Sequence, residues 1–135
     1  MSRVNVDDVR YRIARSQEAL RVGEGASHYG ELHEAVGRLY YACFHLVSAL
    51  PSIEGHRAST HRGISTLFDL HWIKPGRLPL EFGQYHHRIH ERRQEADYAM
   101  RVTFTLEEVE DWFAFGREFL AALQAEIVQL LPVDM

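Results

Sequence analysis

The side chains best able to do chemistry crowd into the stretch from 86 to 98, which holds His86, His87, His90, Arg92, Arg93, Glu95, Asp97 and Tyr98. At the pitch of an α-helix, His86, His90, Arg93 and Asp97 fall within about 60° of one another. They predict a polar stripe beside an apolar face, with Arg93 and Asp97 paired at i, i+4. Such an arginine, steadied by its carboxylate, suits a phosphate or a charged partner. The same spacing also serves a salt bridge that only braces a bundle. His86 and His90 at i, i+4 have the spacing of a metal pair, given a carboxylate from another helix. No second ligand motif such as Glu-x-x-His accompanies them, and no metal site is assigned.

Two other constellations stand out. Glu34, Arg38, Tyr41 and His45 share the polar side of a second helical stretch, with Arg38 and His45 pointing the same way about two turns apart. They read as a solvated face with a Glu34–Arg38 pair. The segment from Gly55 to Gly63 carries His56, Arg57, His61 and Arg62 and opens a helix. Helix N-termini expose unpaired N–H groups and favour anions, so a phosphate between Arg57, His61 and Arg62 is one reading and a capped surface turn the other. The nine histidines allow metal binding, acid–base chemistry or neither. Cys43, the single cysteine, sits on an apolar helix face and reads as core rather than nucleophile. There is no P-loop, GxGxxG, GxSxG or paired CxxC, and no cofactor is expected.

The elements that must position these groups are helical throughout. The 135 residues, 46% apolar and 25% charged, suit one soluble globular domain spanning 1–135. A lone cysteine excludes an internal disulfide. The longest uncharged run, Leu39 to Ile53, contains His45 and Pro51 and is too short to span a bilayer. With a charged N-terminus lacking an apolar signal core, a cytoplasmic protein without membrane contact is expected. The net charge of −4 argues against a general nucleic-acid surface and leaves room for a local basic patch.

Apolar spacing is helical, not alternating, and predicts five helices, over about 6–22, 28–50, 61–71, 79–98 and 106–131. Asn5, Ser27, Thr60 and Thr105 are the expected N-caps, the last with Glu108 as a capping box. Gly23 and Gly25 are expected to end the first helix and Pro51 the second. The second helix has an apolar face wide enough to be central in a bundle. On the fifth, Trp112, Phe115 and Phe119 form an edge beside the main apolar stripe. That edge predicts either a homodimer or partner surface, or a core wrapping further round the helix.

The order of several motifs resembles the HEPN family (higher eukaryotes and prokaryotes nucleotide-binding). They are Leu39-Tyr40-Tyr41-Ala42-Cys43-Phe44-His45, Thr60-His61-Arg62-Gly63, Leu78-Pro79, Arg93-Gln94-Glu95-Ala96-Asp97-Tyr98, and a long acidic-start helix from Thr105. The chain is similar over roughly residues 5 to 126 to small prokaryotic members with an Arg-x-x-x-Asp-Tyr motif. The resemblance implies an all-α, up-and-down bundle, usually a homodimer. Many members act as the toxin of a toxin–antitoxin pair whose antitoxin is a minimal nucleotidyltransferase. Catalytic members are metal-independent RNases in which an Arg holds the scissile phosphate and a His, four to six residues further on, transfers protons at the dimer interface. Arg93 falls where that Arg sits, yet the positions that follow at this spacing are Tyr98, Ala99 and Met100, none of them His. Arg38 and His45 have the spacing but lie too early in the chain.

On this resemblance Arg93 holds the catalytic position, with Asp97 beside it and His90 standing in for the missing histidine; RNA or nucleotide binding is expected through Arg93, Tyr98, His61 and Arg62, and RNase activity would be of a divergent kind. Tyr98 is also the analogue of a tyrosine that nucleotidyltransferase antitoxins modify in some pairs. The alternative is a non-catalytic module for a nucleotide or a partner, in which Arg93, Asp97 and Tyr98 hold the fold or the dimer together.

Overall fold

A computed structural model describes residues 5–98 and 102–132. Of the described residues 82% are helical, in α1 (Val6–His28), α2 (Leu32–Ile53), α3 (His61–Phe68), a π-helical turn (Asp69–Ile73), α4 (Leu80–Tyr98) and α5 (Leu106–Leu130), with no strand among them. The helices expected from the spacing, and the all-α, up-and-down bundle that the resemblance implies, are the observed ones.

α1, α3 and α5 start at their expected caps. Asn5 accepts from the Asp8 N–H at 3.1 Å and Thr60 from Gly63 at 2.9 Å. Thr105 and Glu108 close a reciprocal capping box, each side chain taking the other's backbone N–H at 3.1 Å. α2 is central and packs against α1, α3, α4 and α5. Its wide apolar face, including Val36, Leu39, Tyr40, Cys43, Leu46, Val47 and Leu50, is fully buried, which is why a helix without a side-chain N-cap stays in place.

Several helix ends differ from expectation. α1 does not stop at Gly23 or Gly25 but runs to His28, so Ser27 is not a cap. Gly23 is there for packing: a Cβ would stand 2.9 Å from Phe113 Cζ and 3.1 Å from Arg38 Cβ. The turn comes instead at Gly30, whose φ of +79° is ordinary for glycine and strained for other residues. Pro51 does not stop α2 but sits buried in its last turn, where its carbonyl accepts from His56 N–H at 2.9 Å. Near a C-terminus the proline removes one N–H bond, and burial of Leu50, Pro51 and Ile53 offsets it.

The aromatic edge of α5 closes only in part. Phe119 is fully buried, with the rings of Phe82 and Tyr85 each 5.3 Å away. Trp112 and Phe115 are partly buried against the core. The core wraps further round α5 at Phe119, while Trp112 and Phe115 keep part of their surface exposed. The π turn closes with Lys74 N–H donating to the Asp69 carbonyl at 2.8 Å. It buries Trp72 beneath the Arg77 guanidinium, 4.4 Å from the ring centroid. Arg77 in turn grips both carboxylate oxygens of Glu54, at 2.9 and 2.7 Å, fastening the α3–α4 connection to the end of α2. No described helix is long and apolar enough to cross a membrane.

Candidate phosphate groove

Adjacent tyrosines on α2 straddle the boundary between core and surface. Tyr40 is fully buried while Tyr41 is 37% exposed. Arg93, one helix away on α4, lies over both rings, its Cζ 5.3 Å from the Tyr40 centroid and 4.9 Å from that of Tyr41. Its Nε–H donates to Asp97 at 3.0 Å, the i, i+4 pair read from the spacing, and Nη2 donates to the Tyr41 hydroxyl at 2.9 Å. The side chain is left only 19% exposed. Two of the five N–H groups of a guanidinium are thereby committed. Arg93 also lines a groove of about 510 Å³ with His33, Glu34, Arg38, Tyr41 and Asp97. Arg38 is paired with Glu34 at 2.9 Å, leaving Arg93 as the cation packed most closely among aromatic rings at this groove.

On the other side of Tyr40 stand two histidines from different helices. His61, the first residue of α3, shares a 2.8 Å hydrogen bond between its Nδ1 and the Tyr40 hydroxyl, and its ring stacks on Phe44 at 4.2 Å. His90 of α4 stacks on the Tyr40 ring at 5.1 Å. The two imidazole centroids are 6.3 Å apart. Burial, then the Arg93 charge, hold His61 below the usual histidine range; burial, then His61 and Arg93, do the same for His90. Both are therefore neutral at pH 7, the form in which imidazole accepts or relays a proton. Tyr40 is pushed well above the ordinary tyrosine value by burial, which outweighs the opposing pull of Arg93, so its hydroxyl keeps its proton.

The remaining residues of the stripe divide. His86 is not on a polar surface: it is completely buried, bonded through Nε2 to Ser65 at 2.9 Å, with Nδ1 unpartnered. Burial pushes its pKa down to about 3. Neutral imidazole is small and half apolar, so a helix wheel drawn by residue type put it on the wrong side of the boundary. His86 and His90 do not form a metal pair with a carboxylate; among the described residues no three ligating groups converge. Arg62 is exposed, its carbonyl accepting from Thr66, and Arg57 is likewise exposed, so the two do not close on His61. His45 faces α1, where burial and then Arg12 and Arg15 lower its pKa, and it does not join Arg38. Cys43 is buried, and its thiol is pushed up by burial, which fits core rather than nucleophile.

A family model described as the HEPN domain matches residues 9–127, most of the chain and all of the groove. The chain belongs to the HEPN family. It is 34% identical to a UPF0332 protein of Thermotoga maritima over 122 residues, 90% of this chain and 92% of that one. A UPF0332 protein of Pyrococcus horikoshii is 27% identical over 97 residues, 72% of this chain and 67% of that protein.

Within this HEPN bundle, Arg93, His90 and His61 gather around Tyr40, and Asp97 joins them through Arg93, while Tyr98 does not. It is 78% exposed and lies about 140° round α4 from Arg93. Ala99 and Met100, the other positions at the HEPN motif spacing, lie outside the described residues. The members missed in the site are Tyr40 and Phe44, while Tyr41, read with Glu34 and Arg38 as part of a solvated face, lines the groove with them and Arg93. Their signal was available: two tyrosines in succession on a helix whose face changes from apolar to polar between them must send one ring inward and leave the other at the surface.

Proposed function

We propose that this HEPN protein is the toxin-like component of a pair with a minimal nucleotidyltransferase, that it acts as a homodimer, and that its groove binds the phosphate of an RNA or nucleotide and cleaves RNA without a metal. The observation that supports this is the guanidinium of Arg93 held beside two neutral imidazoles from different helices. Arg93 supplies the charge for a phosphate. His90 replaces the absent motif histidine as the proton-transfer group, a task that needs a neutral ring near pH 7, and His61 stands across Tyr40 as a second neutral imidazole. HEPN domains often dimerise, and a second copy would bring a second Arg93 and histidine set. Asp97 and Tyr41 orient the arginine. Arg62 and Tyr98 lie exposed outside the groove, where Arg62 adds surface charge and Tyr98 is the accessible phenol on which a nucleotidyltransferase partner would act.

A second reading has its own support. Arg93 is already hydrogen-bonded to Asp97 and Tyr41, which suits a bracing role in a non-catalytic binding module. The test is cleavage of single-stranded RNA by the purified protein in EDTA, beside Arg93→Ala, His90→Ala and His61→Ala variants whose helicity is checked by circular dichroism. Cleavage that persists in EDTA and is lost in folded Arg93→Ala supports the RNase reading. No cleavage by the folded wild type transfers the assignment to the binding module, as does loss of folding, rather than of activity, in Arg93→Ala.

A further inference from the structure

The hydrogen bond between Tyr40 and His61 has a direction, and the direction decides what His61 can do. Tyr40 is fully buried, and His61 is the hydrogen-bond partner of its hydroxyl. If His61 Nδ1–H were the donor, the tyrosine proton would be buried with no acceptor, at a cost comparable to a lost hydrogen bond. With Tyr40 donating, both groups are satisfied. Neutral imidazole carries one proton, so it then sits on Nε2. That nitrogen points away from Tyr40 by the geometry of the ring. Among the described residues it meets no hydrogen-bond partner and is not one of the buried unpaired atoms, so it opens to solvent. The stack on Phe44 fixes the ring plane.

We infer that Tyr40 is a positioning residue, which locks His61 in the Nε2–H tautomer and so presents a hydrogen-bond donor, not a base, beside Arg93. The inference deepens the proposed function and rests on it for the ligand. His61 does not line the Arg93 groove itself; across Tyr40 from it, a donor on neutral His61 fits an oxygen of a phosphate that Arg93 holds, and the basic role falls to His90, whose ring packs on the face of Tyr40 and is not constrained by its hydroxyl.

The tautomer can be read without any ligand, from long-range ¹H–¹⁵N spectra of the full-length protein at pH 8, with the His61 signals assigned by their loss in His61→Gln. The wild type is expected to show Nε2–H almost alone, and Tyr40→Phe a mixture of both tautomers. Titration with inorganic phosphate, followed on the same signals, is expected to give about fivefold weaker binding in Tyr40→Phe, although Arg93 is untouched. A mixed or Nδ1–H state in the wild type overturns the inference, and that spectrum decides even if Tyr40→Phe does not fold. An unchanged phosphate affinity in folded Tyr40→Phe overturns the positioning role. If the wild type binds no phosphate while the two tautomer results hold, the lock stands and the phosphate reading of the groove falls.

Discussion

Lowering the pH from 7 to 5 should destabilise this protein, with His86 as a principal cause. The ring is completely buried, and its pKa falls from the ordinary 6.5 to about 3, mainly through burial and then through His87, His90 and His61. The lowered value favours the neutral form in the folded state. Above pH 6.5 both folded and unfolded chains are neutral here and the full stability is present. As the pH drops from 6.5 towards 3 the unfolded chain takes up a proton that the folded chain refuses, and stability falls. Between pH 7 and pH 5 the loss from this group is about 2 kcal/mol, equivalent to roughly 7 °C in Tm for a domain of this size. His45, His61 and His90 are lowered in the same direction, so the wild type should lose more than this. Urea denaturation at both pH values isolates the His86 share when the wild type is compared with a Ser65→Ala/His86→Phe double variant, which also removes the hydroxyl that would be left alone. The pH-dependent loss should shrink by about 2 kcal/mol in that variant. A His86 ring that titrates near 6.5 in the folded protein, or a double variant that keeps the whole pH dependence, would refute the reasoning.

Three further outcomes are expected. Gly23→Ala should destabilise by about 1–2 kcal/mol, because the added methyl meets Phe113 Cζ at 2.9 Å and overpacking outweighs the gain in helix propensity; Gly25→Ala, with open space around it, should stabilise by about 0.5–1 kcal/mol, and denaturation midpoints read both. Thr105→Ala removes one half of the α5 capping box and should lower stability by about 1 kcal/mol, seen as a lower thermal midpoint. Cys43 should resist thiol reagents in the native state and react only on unfolding, since it is buried and its thiol pKa is raised; labelling followed by mass measurement checks this.

Three of the helix starts were legible because each depends on a few neighbouring residues, whereas α2 has no side-chain cap to read. Asn5, Thr60 and the Thr105–Glu108 pair cap where their types and spacing put them. The ends at Gly23 and Pro51 were not, because what keeps those helices going lies elsewhere in the chain: Phe113 and Arg38 need the space at Gly23, and the core covers Pro51. The Arg93–Asp97 pair could be read from one helix alone. The company it keeps could not, since His61 reaches Arg93 only through Tyr40 of a third helix. His86 was misplaced for a related reason: a wheel ranks histidine as polar, whereas a single serine, Ser65, is enough to let the neutral ring enter the core.

The setting of Arg93 also has an entropic side. An arginine free in solvent samples many rotamers, and fixing it on a ligand costs about 0.5–1.5 kcal/mol. Here the side chain is already pinned by Asp97, by the Tyr41 hydroxyl and by two aromatic faces. That freedom was lost when the chain folded, so an anion entering the groove meets a guanidinium that has none left to lose. Removing only the Tyr41 hydroxyl would return part of the freedom, weakening the hold on an anion while leaving the charge of the groove unchanged.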